Sequence, residues 1–168
     1  MTAPGEHLMH WLRDAHAMEI QAIESVENQI DRLRNYPELR NWAQEHVQGA
    51  KQHRELIRQC IERRGGSTST IKDVAMAVVG KFQELTGMLM ADEVLKNAIG
   101  DYSFKHYQIA CYKSLIAAAE EASDPETKRV CEDILSAHQQ LVDRLLPYIP
   151  QVTHEYMQRE GAKLAAKR

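Results

Sequence analysis

Residues 103–112 read SFKHYQIACY and lie in the middle of a long, mostly apolar segment. Apolar residues recur around this stretch at intervals of three and four, the spacing that brings side chains to one face of an α-helix. Two polar residues, Lys105 and Gln108, share nearly the same face. They either point into water or place an ammonium and an amide inside a helical core, and this choice decides what the protein can do.

The same spacing predicts four long amphipathic helices along the chain. They cover about residues 5–33, 37–64, 89–121 and 125–146. In helix three, the expected core stripe is Leu95, Ala98, Tyr102, Lys105, Ile109, Tyr112 and Ile116. Glycines stop helix two, and the segment SDPET provides an N-cap and a first-turn proline for helix four.

The link between helices two and three is much longer than the other links. Residues 65–88 are expected to form a loop and then a short crossover helix of small residues. Short loops force neighbouring helices to be antiparallel, whereas a long link lets helices two and three run parallel. We therefore predict an all-α, up-down-down-up four-helix bundle with one long crossover between helices two and three. Residues 1–168 form a single domain, in which residues 150–168 are a short extra helix or a loose tail.

Composition limits the possible partners and cellular location. The 168 residues are 43% hydrophobic and 27% charged, which fits one domain with a continuous core. A net charge of −3 and an isoelectric point near 6.2 favour neither nucleic acid nor an anionic membrane as partner. No apolar run approaches the roughly 20 residues that span a bilayer, and no signal-peptide pattern is present, so we expect a cytoplasmic protein. The cysteines are expected to be reduced thiols.

Polar residues interrupt all four apolar stripes. Glu19, His53, Lys105 and His138 each occupy a core-facing position on a different helix, and Gln108 lies one turn from Lys105. A single buried histidine is usually only a hydrogen-bonded core residue. Four ionisable groups near the middle of four helices instead indicate a shared polar site, because bundle cores build metal and cofactor sites from facing helices.

Four segments of the chain carry a family resemblance. They are LRDAHAMEIQAIE, HVQGAKQHRELIRQCIERRGGS, ADEVLKNAIGDYSFKHYQIACYKSLIAAAE and CEDILSAHQQLVDRLLP. Over about residues 8–148, the chain resembles the YciE/YciF group of bacterial ferritin-like, stress-associated proteins. This resemblance implies a bundle that holds two metal ions with carboxylates and imidazoles.

Only part of the implied metal site is kept in helices one and two. Glu19 matches the helix-one glutamate of the family. Where helix two is expected to carry a glutamate and a threonine, this chain has Gly49 and Ala50, and His53 replaces the glutamine that follows. The resemblance therefore leaves one of the two expected carboxylates in these helices.

Helices three and four lose their matched carboxylates altogether. Two glutamates of the family motif fall on Lys105 and Gln108, and the acidic position of helix four falls on His138. A protonated amine repels cations, and a buried lysine requires a partner. We therefore predict a degenerate site in which a Glu19–Lys105 pair, flanked by His53, Gln108 and His138, forms a polar network. The expected protein is not an enzyme and has no cofactor.

One alternative keeps a metal at the same place. Glu19, His53 and His138 have the ligand types of a three-residue site for zinc, iron or manganese. The protein would then be an oxidant-scavenging or oxidase-like metalloprotein. In either case we expect a homodimer, because the crossover segment VAMAVVGKF is more apolar than an exposed link requires. The sequence identifies no other protein partner.

Overall fold

The computed structural model describes residues 3–68 and 93–162, which are helical apart from short turns. The helices are α1 (Pro4–Ile30), α2 (Pro37–Arg63), α3 (Glu93–Glu121), α4 (Pro125–Leu145) and α5 (Tyr148–Gly161). These two ranges contain no strand. The predicted all-α class is therefore confirmed. The predicted crossover helix lies outside the described residues.

Contacts at the two ends of the bundle establish the helix directions. At one end, Arg64 follows α2 and donates hydrogen bonds to the carbonyl of Gly5, at the start of α1, and to Asp124, before α4. At the other end, Arg32 follows α1 and pairs with Glu93, the first residue of α3. Helices α2 and α3 therefore run parallel, and α1 and α4 run in the opposite direction. This is the arrangement that the long second link predicts.

The four long helices surround one continuous core. Helix α1 packs on α2 and α3, α4 packs on the same two helices, and α5 contacts α3 and α4. Trp42 of α2 is fully buried and donates its indole N–H to the carbonyl oxygen of Leu141 at 2.9 Å, which ties α2 to α4. This bond satisfies the polar atom of the largest core side chain, as burial of an indole requires.

Local sequence signals define the ends of α2 and α4. Gly65 has φ of 75°, a left-handed conformation that glycine adopts without steric cost, and Gly66 donates its N–H back into the last turn of α2. Asp124 caps α4 by accepting the N–H of Thr127 at 3.0 Å. These two boundaries bring the end of α2 close to the start of α4.

The buried stripe of α3 differs in phase from the predicted stripe. Leu95, Tyr102, Ile109 and Ile116 are only partly buried. The residues immediately before them, Val94, Asp101, Gln108 and Leu115, are buried instead. The predicted stripe followed the apolar residues, whereas the buried stripe includes the acid Asp101 and also Gln108, which was predicted to lie in the core beside Lys105. Ala98, Lys105 and Tyr112 belong to both stripes and are buried as expected.

Candidate functional site

Six side chains from four helices meet inside the bundle and form what we call the core cluster. Its members are Glu19 of α1, His53 of α2, Lys105, Gln108 and Tyr112 of α3, and His138 of α4. His53 is 7% exposed and the other five are fully buried. The structure thus brings together all five polar residues that were selected from the sequence, and it adds the hydroxyl of Tyr112.

The carboxylate of Glu19 is the centre of the core cluster. Its Oε1 accepts hydrogen bonds from the Tyr112 hydroxyl at 2.8 Å, from His138 Nε2 at 3.1 Å and from Gln108 Nε2 at 3.3 Å. Its Oε2 has no hydrogen-bond partner among the described residues. His53 Nδ1 lies 3.8 Å from Oε2, which is too long for a hydrogen bond. The two oxygens therefore have very different surroundings.

Lys105 reaches Glu19 through His138 and not directly. Lys105 Nζ lies 3.0 Å from His138 Nδ1, and His138 Nε2 lies 3.1 Å from Glu19 Oε1. An ammonium has only donors, so Nδ1 must accept and the ring proton must be on Nε2, where it is donated to the carboxylate. The prediction of a direct Glu19–Lys105 ion pair was therefore wrong, because the imidazole ring of His138 lies between the two charges.

The protonation states of the cluster follow from burial and from neighbouring charges. Burial lowers the pKa of His138 to about 4, assisted by the charge of Lys105, so the imidazole is neutral. Burial also lowers the pKa of Lys105, to about 8, although Glu19 opposes this shift. Burial alone would raise the pKa of Glu19, but the hydrogen bond from His138 and the other nearby groups lower it well below its ordinary value. At neutral pH one carboxylate and one ammonium flank a neutral ring.

Two further buried ionisable groups lie close to the core cluster. Asp101 precedes Lys105 by one helical turn, and burial raises the pKa of its carboxyl to about 7. His46 packs edge-on against Trp42, and neither ring nitrogen has a hydrogen-bond partner within the described ranges. Burial and the charge of Lys105 hold the pKa of His46 well below its ordinary value. Neither residue was assigned a role from the sequence, although each lies at a helical repeat from Lys105 or His53.

Comparison with known proteins identifies the family. Residues 3–158 match the family model described as a domain of unknown function, DUF892. The chain belongs to this family. A crystal structure of a Xanthomonas campestris protein is 30% identical, with a TM-score of 0.80, over 94% of this chain and 98% of the other. No function is attached to the DUF892 description.

More distant structures show the fold of this DUF892 chain. A ferritin-like, diiron-carboxylate protein from Bacillus anthracis has a TM-score of 0.70 at 15% identity, covering 89% of this chain and 99% of its own. The Desulfovibrio desulfuricans bacterioferritin has a TM-score of 0.73 at 22% identity, with coverage of 90% and 82%. The fold is therefore ferritin-like. None of the described helices is both long and apolar enough to cross a membrane.

The core cluster does not fit a ferritin-type pair of metal ions. Such a site uses glutamates from all four helices together with two histidines. Within the core cluster, Glu19 is the one carboxylate, and an ammonium lies 3.0 Å from a ring nitrogen of His138. At Gly49, a Cβ atom would lie 3.7 Å from the ring of His53, so a side chain there would reach the cluster, but glycine offers none. The donor set is too poor in negative charge for two divalent ions.

The same side chains are closer to the requirements of a single ion. One ligand atom each from Glu19, His53 and His138 can be chosen so that all three lie within 4.8 Å of one another. A zinc site with three protein ligands uses these ligand types, but ligand atoms about 2.0–2.1 Å from a tetrahedral ion lie about 3.3 Å apart, so the three side chains would have to move closer together. The core cluster can therefore act as a hydrogen-bonded network or, after rearrangement, as a three-ligand metal site.

Proposed function

We propose that this DUF892 protein is a non-catalytic ferritin-like bundle in which a hydrogen-bonded network stands where diiron-carboxylate proteins hold metal. The observation that carries the proposal is the chain of contacts from Lys105 Nζ to His138 Nδ1 at 3.0 Å and from His138 Nε2 to Glu19 Oε1 at 3.1 Å. One positive and one negative charge thereby offset each other without an ion.

Lys105 supports the metal-free state through the tautomer of His138. A metal ligand must offer a ring lone pair, but the Nδ1 lone pair accepts the lysine proton and Nε2 carries a hydrogen. For Nε2 to bind a metal, its hydrogen would have to move to Nδ1, where it would face an ammonium. Metal binding therefore requires Lys105 to lose a proton or to move away. Lys105 excludes cations both by its charge and by this hydrogen bond.

The experiment compares metal binding by wild type, Lys105→Met and Lys113→Met after purification without added metal. Lys113 is exposed on the same helix and serves as the matched control. We expect no stoichiometric iron, manganese or zinc in wild type or in the control by mass spectrometry. Zinc titration should show measurable binding only in Lys105→Met, because His138 Nδ1 no longer accepts a hydrogen bond from Lys105 in this variant. Nitrogen-15 NMR should show the Nε2–H tautomer of His138 in wild type.

A single-ion site is the second candidate function, favoured by unpartnered buried atoms. Among the described residues, Glu19 Oε2, His53 Nδ1 and Gln108 Oε1 have no hydrogen-bond partner. Buried polar atoms of this kind are uncommon and often mark a missing water or ion. In this alternative Glu19, His53 and His138 hold one zinc, iron or manganese ion in an oxidant-scavenging or oxidase-like protein. Stoichiometric metal in wild type that is lost in Glu19→Gln would establish this candidate and reject the first.

We also propose that the chain belongs, within DUF892, to the YciE/YciF group and acts as a cytoplasmic, stress-associated homodimer. The four segments quoted above support the group, and the apolar character of VAMAVVGKF supports self-association. Sedimentation velocity at micromolar concentration tests the dimer. A monomer throughout that range would remove the argument for self-association.

A further inference from the structure

Tyr112 is a buried phenol whose hydroxyl faces the carboxylate of Glu19. It is fully buried, and its hydroxyl donates to Glu19 Oε1 at 2.8 Å, the shortest of the three hydrogen bonds to that oxygen. This distance lies within the range in which a carboxylate accepts a proton from a neighbouring group. Burial and the charge of Glu19 raise the pKa of Tyr112 well above 10. The phenol therefore stays protonated at rest, and its oxidation needs a proton acceptor already in position.

We propose that Tyr112 is a proton-coupled one-electron donor whose proton acceptor is Glu19. In the forward step, the O–H bond of Tyr112 breaks, its proton forms a new O–H bond on Glu19 Oε1, and one electron passes to a small one-electron oxidant outside the core. The products are a neutral tyrosyl radical, a neutral Glu19 and the oxidant reduced by one electron.

A groove between α1 and α3 gives the oxidant a place to approach. The residues that line this groove of about 270 Å³ include Trp11, Met18, Tyr107 and Cys111. Trp11 and Tyr107 are 41% and 50% exposed. Met18 directly precedes Glu19, and Cys111 directly precedes Tyr112. Glu19 and Tyr112 are thus chain neighbours of two groove residues, although their own side chains do not line the groove.

Neighbouring thiols do not offer an easier electron. Burial raises the pKa of Cys131 to about 12, and burial also raises the pKa of Cys111. Both thiols thus stay protonated, and the thiolate is the reactive form of cysteine. The Tyr112 hydroxyl, in contrast, donates a hydrogen bond to the ionised carboxylate of Glu19, so the phenol can lose its electron and its proton together.

This inference rests on the proposed metal-free network, because a metal ion bound to Glu19 would compete with the phenolic proton for the carboxylate. The test treats metal-analysed protein with hexachloroiridate(IV) and freezes samples at short times for electron paramagnetic resonance. We expect a neutral tyrosyl signal in wild type that Tyr112→Phe removes and Tyr102→Phe, the control on the same helix, retains. Ascorbate should abolish the signal.

The role of Glu19 is tested separately from the identity of the radical. Glu19→Gln should slow formation of the buried radical by about 100-fold, which is the lower end of the rate loss expected when a positioned proton acceptor is removed. Because this variant can also unfold, the wild-type reaction is repeated in D₂O, where coupled proton transfer predicts slower oxidation. A wild-type signal that survives Tyr112→Phe, or no tyrosyl signal, would overturn the inference. Metal in the starting sample would instead count against the proposed function, whichever signal appears.

Discussion

The core cluster and a second charged cluster at the end of the bundle are built from similar groups but differ in their access to water. We call the second group the end cluster; it consists of Arg63, Arg64, Asp124 and Thr127. The Asp124 side chain is 11% exposed, and those of Arg64 and Arg63 are 20% and 34% exposed. In contrast, the side chains of Glu19 and His138 are 0% exposed. Water can therefore replace a lost partner of the charged groups in the end cluster, although Thr127 is fully buried, whereas it cannot do so in the core cluster.

This difference determines how each cluster contributes to stability. In the core cluster, removing one charge leaves the other charge buried without compensation, which costs far more than the intact pair contributes. In the end cluster, Asp124 accepts from Arg64 at 2.7 Å and from Thr127 at 2.7 Å. Thr127 is fully buried, but water can reach the charged groups that remain when an arginine contact is lost. A complete buried network is thus tolerated, whereas a partial one is strongly unfavourable.

The largest expected effect comes from breaking the core cluster at one charge. Lys105→Met and Glu19→Gln should each lower the free energy of unfolding by roughly 3–5 kcal/mol, because each leaves unpaired polar groups in the core. The double variant should be more stable than the sum of the two losses predicts. Urea unfolding of the four proteins forms a double-mutant cycle. Additive losses would show that Lys105 and Glu19 are not coupled through His138.

Restoring carboxylates should convert the core cluster to a metal-dependent site. In Gly49→Glu/Lys105→Glu/Gln108→Glu, manganese or iron(II) should raise stability by about 2.7 kcal/mol when the free ion is 100 times the dissociation constant. Thermal unfolding with and without the ion measures this gain. Wild type should respond little. An equal response in wild type would mean that the native cluster already binds the ion.

The end cluster should respond more weakly to truncation. Asp124→Ala removes the N-cap of α4 and both arginine contacts, and we expect a loss of about 1 kcal/mol, which is typical of a capping residue. Chemical unfolding measures the loss. A loss as large as that of Glu19→Gln would contradict the idea that access to water separates the two clusters.

The smallest effect is the pH dependence of the end cluster. Burial alone would raise the pKa of Asp124, but Thr127 and the two arginines lower it from 3.8 to about 2. Because the folded pKa lies below the unfolded value, the contribution is complete above that unfolded value and is lost as the pH falls towards 2. The stability difference between wild type and Asp124→Asn should follow this course. A difference that stays constant down to pH 2 would contradict it.

Hydrophobic spacing was sufficient to predict the four long helices and to select polar residues that meet in the core. Glu19, His53 and His138 were found because each interrupts an apolar stripe at a core-facing position, and stripe positions translate directly into burial. The face of α3 that is buried was harder to predict, since Asp101 belongs to the buried stripe although hydropathy assigns it to the surface.

The connections within the core cluster were harder to predict than its membership. Opposite charges suggested that Lys105 would contact Glu19, but which side chain lies between them depends on side-chain rotamers and helix rotation. The ring of His138 has a nitrogen at each side and can bridge two groups that a direct ion pair would have joined. Hydrophobic spacing in a single sequence does not specify these rotamers or the rotation of each helix.

The environments of the two tryptophans make them separate optical reporters of the bundle. Trp42 is fully buried with its indole N–H bonded to a carbonyl of α4, whereas Trp11 is 41% exposed at the groove. Acrylamide should therefore quench the fluorescence of Trp11 first, while the blue-shifted emission of Trp42 changes only when α2 separates from α4. With Trp11→Phe, the remaining emission reports the opening of the core without any added label.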